Sequence, residues 1–182
     1  MIIKYQAGLI KSGENMKSIY LLGFMGCGKT TVGKILAKEL KYQFIDLDEQ
    51  IVLHTGKSIP KIFEEKGENG FRKIESEVLK KVSSVDSIIS TGGGIVTCYD
   101  NIVFMKQNGI LFYLESTIET LYNRIHQDIN RPNAVNRSME ELNTLFISRK
   151  SFYEEADFTI SVTEKSPMDA SVEIINCLNS LQ

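Results

Sequence analysis

Residues 23–30, GFMGCGKT, have the types and spacing of a phosphate-binding loop, G-x-x-x-x-G-K-[ST]. Glycines there let backbone N–H groups point at phosphate oxygens, Lys29 would reach the outer phosphates, and the Thr30 hydroxyl would hold magnesium. An apolar run before the loop and helical spacing after it supply the strand and helix that this motif needs. The motif therefore predicts binding of a nucleoside triphosphate with magnesium. The alternative interpretation is a plain glycine turn between a strand and a helix.

Two further clusters could act on a second reactant. Asp46 and Asp48 are predicted to end the second strand with their side chains on the same side. One carboxylate could hold magnesium through water, and the other could accept a proton or hydrogen bond from a hydroxyl. The alternative is a solvated strand end. The run TGGG at 91–94 follows the third strand, where glycines would expose backbone N–H groups to a ligand.

The arginines are candidate anion-binding residues, because the chain has five Arg against sixteen Lys. Arg binds carboxylate or phosphate through a planar fork that Lys lacks. Asp48, Arg72 and Arg149 with glycine N–H groups would suit a small polyhydroxylated acid. Apolar residues near Arg72 would form a wall of that site or belong to the core: Ile59, Phe63 and Phe71. Arg137 is interpreted as a surface charge.

The elements that must position these groups alternate along the chain. Strands are predicted at 19–22, 42–45, 87–90, 110–114 and 158–162. Helices are predicted at 30–40, 47–55, 59–66, 69–82, 99–107, 117–127, 139–156 and 168–180. This alternation predicts an α/β fold with a parallel sheet and ligands at the carboxyl ends of the strands. The polar segment at 126–137 is predicted to be a lid that carries Arg131, or else a solvated loop.

Bulk properties narrow the class of protein. The chain has 182 residues and a net charge of −2, with 42% hydrophobic and 24% charged residues. This balance disfavours a nucleic-acid partner, and no apolar run reaches the length of a membrane span. Three scattered cysteines fit a reducing cytoplasm, and Cys27 is interpreted as a small loop filler rather than a redox group. We expect residues 1–15 to be an extension and 16–182 to be one domain, with a lid at about 126–138.

The chain resembles the shikimate kinase family. The resemblance rests on GFMGCGKTTVG at 23–33, FIDLDEQI at 44–51, GENGFRKIE at 67–75, TGGG at 91–94, RP at 131–132, and Arg149 with Tyr153. It implies a P-loop NTPase-type three-layer α/β/α fold with a five-stranded parallel sheet and a lid. It also implies ATP-dependent phosphorylation of the shikimate 3-hydroxyl, giving shikimate 3-phosphate and ADP in aromatic amino-acid biosynthesis. We expect the protein to be a cytoplasmic monomer.

The resemblance also implies residue roles. Catalytic roles fall on Lys29, Asp48 and Arg131, and magnesium contacts on Thr30 and Asp46. ATP contacts are implied for Gly26, Cys27, Gly28, Lys29, Thr30, Thr31, Arg124, Arg131, Lys165 and Pro167. Shikimate contacts are implied for Asp48, Phe71, Arg72, Glu75, Gly93, Gly94 and Arg149.

Departures from the family pattern occur at three places. The lid reads RPNAV where two leucines usually follow RP, Ser151 replaces a frequent proline, and Lys165 replaces a frequent Arg.

Two other functions remain open from the residues alone. One is a kinase of another small hydroxy acid such as gluconate, and the other is a nucleotide-binding switch without a small-molecule acceptor.

Overall fold

A five-stranded parallel sheet organises residues 18–83, 86–127 and 138–181, which are the residues that the computed structural model describes. The strands are β1 (Ser18–Leu22), β2 (Gln43–Asp46), β3 (Ser87–Ser90), β4 (Gly109–Glu115) and β5 (Phe158–Ser161). Their order across the sheet is β2-β3-β1-β4-β5. Each predicted strand matches an observed one within two residues at either end, and the α/β class with a five-stranded parallel sheet is confirmed.

Helices connect the strands, as the alternating pattern predicts. They are α1 (Lys29–Leu40), α2 (Leu47–Thr55), α3 (Ile59–Val82), α4 (Tyr99–Asn108), α5 (Ile118–Gln127), α6 (Met139–Tyr153) and α7 (Pro167–Asn179). A short 3₁₀ turn, Ile95–Thr97, precedes α4. No helix among the described residues combines the length and the apolar composition that crossing a membrane requires. The extension 1–15, most of the predicted lid, and Arg131 and Arg137 lie outside the described residues.

The pairing of the strands decides which loops meet. β1 and β3 are buried along their whole length, as expected for central strands covered on both faces. In their parallel register, Leu21 of β1 lies opposite Ser90 of β3. The Thr91 hydroxyl and backbone N–H both donate to the Leu21 carbonyl, at 2.8 and 3.3 Å. The phosphate loop after β1 and the glycine run after β3 therefore leave the sheet side by side.

The prediction that Asp46 and Asp48 share one side of a strand is wrong. β2 ends at Asp46, which is the N-cap of α2, and Asp48 lies in the first turn of that helix. The Asp46 side chain accepts from the backbone N–H groups of Asp48, at 3.1 Å, and Glu49, at 3.5 Å. An aspartate cap followed by acidic residues stabilises a helix start, so the chain turns into α2 here.

Helix α3 spans both of the helices predicted at 59–66 and 69–82, and a break in the helical backbone lies between them. Gly67 has φ 65° and ψ −176°, which lies outside the helical region. This combination is accessible essentially only to glycine. The break separates the first half of α3, which follows α2, from the second half, which carries Arg72 and Glu75.

Gly67→Ala should destabilise the protein through backbone strain alone. A methyl group at Gly67 meets nothing within 4 Å, so no steric contact adds to the effect. We expect a loss of about 2–3 kcal/mol in the free energy of unfolding, measured in urea. Gly56→Ala is the matched control, because Gly56 also has φ 65° and open space but ψ 14°, a commoner left-handed conformation. It should lose only about 1 kcal/mol. Equal losses in the two variants would contradict the strain assigned to Gly67.

Candidate active site

The phosphate loop has the backbone that its sequence predicts. Gly28 has φ 96° and is the N-cap of α1, without a capping side chain. The ammonium group of Lys29 lies inside the loop and donates to the carbonyl oxygens of Gly23, at 2.7 Å, and Phe24, at 3.1 Å. Helix α1 thus points its positive N-terminal end and a nearly buried lysine towards the same space, an arrangement suited to a polyphosphate.

Cys27 lies beneath this loop rather than at its surface. Its thiol is 1% exposed and its Sγ is 3.6 Å from Lys29 Nζ. A methyl group at Gly23 would lie only 2.7 Å from this sulfur. The cysteine therefore fills space inside the loop, in agreement with its interpretation as a small filler. All three cysteines are unpaired.

A hydroxyl and a carboxylate meet beside the loop. Thr30 Oγ1 donates to Asp46 Oδ2 at 2.9 Å, and the Ser90 hydroxyl lies 3.4 Å from Thr30 Oγ1. Asp46 therefore uses one carboxylate oxygen to cap α2 and the other to accept from Thr30. Magnesium prefers oxygen ligands and keeps several waters, so this pair of oxygen-bearing groups fits the ion.

Acidic groups surround the start of the glycine run. A methyl group at Gly92 would lie 2.7 Å from Glu75 Oε1 and 3.1 Å from Asp48 Oδ1. Glu75 is fully buried at 0% exposure, and its Oε2 accepts from Arg72 Nη1 at 2.7 Å. Burial raises the pKa of Glu75, the nearby Arg72 guanidinium opposes that shift, and the Asp48 carboxylate adds to it.

Arg72 is held firmly by its neighbours. Besides Glu75, it donates to Glu68 Oε1 at 3.3 Å, and its guanidinium carbon lies 5.2 Å from the centre of the Phe71 ring. A methyl group at Gly94 would lie 2.1 Å from Arg72 Nη2, so only glycine allows the guanidinium this close to the backbone. Arg72, Glu75 and Gly94 are thus brought together as the sequence predicts.

Arg149 reaches the same glycine run from α6. The side chain is 8% exposed, and its Nη1 donates to the Gly93 carbonyl oxygen at 3.3 Å. The Tyr153 hydroxyl donates to that oxygen as well. Two arginines from different helices therefore lie against neighbouring glycines, with Arg72 at Gly94 and Arg149 at Gly93.

A cavity of about 950 Å³ runs along the carboxyl ends of the strands. It is lined by twelve of the predicted site residues: Gly26, Cys27, Gly28, Lys29, Thr30, Thr31, Asp46, Asp48, Gly93, Arg124, Lys165 and Pro167. That lining does not include five other predicted site residues: Phe71, Arg72, Glu75, Gly94 and Arg149. Ile59 lines the cavity, whereas Phe71 is buried in the core and stacks on Phe63 at 4.5 Å. The apolar wall predicted for the site is thus partly core.

The far end of the cavity is formed by α5 and the start of α7. Arg124 Nη2 donates to the Val162 carbonyl at 3.1 Å, and Lys165 forms an ion pair with Glu173. Pro167 is the first residue of α7, and Ser166 caps that helix by accepting from the Asp169 N–H at 3.2 Å. This end is where a nucleoside would lie if its phosphates occupied the loop.

Sequence reasoning missed several lining residues, above all Ser90 and Ser166. Ser166 could have been found, because a serine three residues before an aspartate is a capping signature at a helix start. Ser90 carries no local signal. Its place beside Thr30 follows from the pairing of β3 with β1, which the sequence does not specify.

A triphosphate on the loop would leave the region around the two arginines for a second, anionic reactant. A phosphate loop beside two such arginines suits a phosphotransferase that acts on the hydroxyl of a small anionic molecule. The family model described as shikimate kinase matches residues 25–179, most of the chain. The chain belongs to the shikimate kinase family.

Individual relatives agree with this membership. A shikimate kinase of Enterococcus faecalis is 46% identical over 166 residues, covering 90% of this chain and 99% of the relative. A solved shikimate kinase of Acinetobacter baumannii, in complex with shikimate, is 38% identical with a TM-score of 0.84, covering 93% of this chain and 96% of that one. A gluconokinase of Sinorhizobium meliloti, at 15% identity and a TM-score of 0.63, shares the fold alone.

Glu75→Gln should change how stability depends on pH. Because burial raises the pKa of Glu75 above its unfolded value of about 4.3, its contribution to stability is full below that value and is lost as the pH rises through the folded pKa. We therefore expect the Gln variant to gain stability relative to the parent as the pH rises above about 4.3, in urea unfolding experiments. A difference in stability that stays constant as the pH rises would refute the raised pKa.

Proposed function

We propose that the chain transfers the γ-phosphoryl group of ATP to the 3-hydroxyl of shikimate, releasing ADP and shikimate 3-phosphate. The observation that carries this proposal is the convergence of Arg72 and Arg149 on the glycine run that packs against the phosphate loop. A carboxylate acceptor bound by these arginines would lie next to the phosphates of ATP. The A. baumannii relative, which is described in complex with shikimate, supports this choice of acid.

ATP would bind along the cavity with its phosphates at the loop. Backbone N–H groups of residues 26–31 would hold the phosphates, and Lys29 would exchange its two carbonyl contacts for the outer phosphates. Arg124, Lys165 and Pro167 would flank the base at the far end of the cavity. The Arg124 bond to the Val162 carbonyl and the Lys165 pair with Glu173 fix these side chains in place.

Magnesium would be held by Thr30 directly and by Asp46 through water. Bound there, the ion would neutralise charge on the phosphates of ATP. The chain's own contribution is to keep the hydroxyl and the carboxylate together, 2.9 Å apart, through the cap that Asp46 provides for α2. The same carboxylate thus ties the metal-binding position to the helix that carries Asp48.

Shikimate would place its carboxylate on Arg72 and Arg149 and its hydroxyls on Asp48 and the glycine run. Asp48 is our candidate for orienting the attacking hydroxyl and accepting its proton. The loose transition state of phosphoryl transfer makes positioning and charge neutralisation the main contributions. Phe71 and Glu75 would support Arg72, whose guanidinium touches both.

Arg131, which lies outside the described residues, would complete the site. We propose that it neutralises the transferring phosphoryl together with Lys29, and that the segment around it covers the site and excludes water. Without such cover, water would compete with shikimate as the phosphoryl acceptor.

We also propose a single kinase domain over residues 16–182 that acts as a cytoplasmic monomer. The three unpaired cysteines support the reducing compartment.

The proposed activity is tested by ADP release from ATP with magnesium, with and without shikimate. We expect turnover to rise only when shikimate is added, with gluconate and quinate as control acids and EDTA abolishing the reaction. Stimulation by gluconate instead would point to a kinase of another hydroxy acid. ATP binding without stimulation by any acid would favour a nucleotide switch.

Asp48→Asn should lower turnover by about 10²- to 10⁴-fold, because the amide cannot accept the hydroxyl proton. Shikimate binding should be much less affected, since both arginines remain. Stopped-flow turnover combined with shikimate titration would separate the two effects. Glu49→Gln, one residue further along the same helix turn, is the control and should remain active. Full turnover by the Asp48 variant would remove Asp48 from both proposed roles.

A further inference from the structure

Helix α6 directs two side chains to one backbone oxygen. The Tyr153 hydroxyl and Arg149 Nη1 both donate to the Gly93 carbonyl, the arginine at a long 3.3 Å. The two residues are four apart, so they lie on the same face of the helix, one turn from each other. Tyr153 is fully buried and takes no part in the proposed chemistry.

We propose that Tyr153 is a positioning residue that holds the Gly93 carbonyl and thereby frees the Arg149 guanidinium for the acid's carboxylate. This inference rests on the proposed function only through the role given to Arg149. It assigns to Tyr153 an effect on acid binding without any contact to the acid itself.

The Gly93 carbonyl belongs to a tightly packed segment. A methyl group at Gly93 would lie 3.2 Å from the backbone nitrogen of Met25 and 3.6 Å from the Gly23 carbonyl oxygen, both in the phosphate loop. The neighbouring Gly94 lies against the Arg72 guanidinium. Little space remains for the run to turn its carbonyl elsewhere, so this oxygen needs a donor in its present direction.

The effect proposed for the tyrosine arises because Tyr153 and Arg149 are both donors to the same carbonyl oxygen. With the Tyr153 hydroxyl present, the carbonyl accepts from two donors, and the arginine contact is long at 3.3 Å. Without the hydroxyl, Arg149 would be the remaining side-chain donor to that oxygen among the described residues. The guanidinium would then be drawn towards the backbone, and the acid would have to displace this contact in order to bind.

The tyrosine ring is held independently of its hydroxyl. It stacks on the Tyr113 ring of β4, with ring centres 5.2 Å apart and planes 16° from parallel. Burial raises the pKa of Tyr153 well above its ordinary value, although Arg149 opposes the shift, so the hydroxyl stays protonated and remains a donor. Replacement by phenylalanine should therefore remove the hydrogen bond and keep the packing.

Tyr113 provides a matched control from the same ring stack. Its hydroxyl is buried and has no hydrogen-bond partner among the described residues. Tyr113→Phe removes the same atom from the neighbouring ring without removing a bond. Any general effect of deleting a buried hydroxyl from this stack should appear in both variants, whereas an effect on Arg149 should appear only at position 153.

The test is a comparison of steady-state constants for the parent, Tyr153→Phe and Tyr113→Phe, with folding checked by thermal unfolding. For Tyr153→Phe we expect the shikimate KM to rise about five- to tenfold, the size of one hydrogen bond. The turnover number and the ATP KM should change less than about twofold, and Tyr113→Phe should match the parent. An unchanged shikimate KM in Tyr153→Phe would overturn the proposal, as would equal changes in all three constants.

A double-mutant cycle with Arg149→Lys tests whether Tyr153 acts through the arginine. If it does, Tyr153→Phe should raise the shikimate KM by less than about twofold in the Arg149→Lys background, because the competing fork is gone. Full additivity would overturn the proposal. A parent without shikimate-stimulated turnover would instead overturn the proposed function, and the role of Tyr153 with it, so the two failures are distinguishable.

Discussion

Close backbone packing between the glycine run 91–94 and the phosphate loop is the constraint on which the site depends. It arises because β1 and β3 are adjacent and because Thr91 fastens the end of β3 to Leu21. A side chain at Gly93 would press on the phosphate loop, and one at Gly94 would displace Arg72. The phosphate loop and the two arginines of the proposed acid site therefore lie against one short segment.

Asp46 joins the two halves of the site in a different way. One of its oxygens begins α2, and the other accepts from Thr30 at the start of α1. The cap is structural chemistry, whereas the contact with Thr30 belongs to the phosphate side. Because a single carboxylate does both, the start of α2, and with it Asp48, is fixed relative to the phosphate loop. The ion pair of Arg72 and Glu75 holds the proposed acid site in a similar manner, because the buried Glu75 carboxyl group accepts from the Arg72 guanidinium.

The sequence predicts the elements well, because its apolar runs and helical spacing are strong local signals. It fails where the decisive contact is not local. The prediction that Asp46 and Asp48 share one side of a strand is wrong because Asp46 can end a strand or cap a helix, and only the backbone decides between these roles. The meeting of Arg149 with Gly93 joins residues 56 positions apart, so no spacing rule reveals it. The resemblance of the motifs to a family predicted these site residues, and the geometry adds the acceptor that Arg149 shares with Tyr153.

The burial of Cys27 has a practical consequence for labelling. Its thiol lies under the phosphate loop, while Cys98 and Cys177 are partly exposed. Thiol reagents therefore reach the latter two first, because reactivity requires an accessible thiolate. Cys98 follows the turn after the glycine run, and Cys177 lies near the end of α7, whose first residue, Pro167, lines the cavity. The natural sequence thus offers two attachment points for spectroscopic probes, at Cys98 and Cys177, without a change to the phosphate loop.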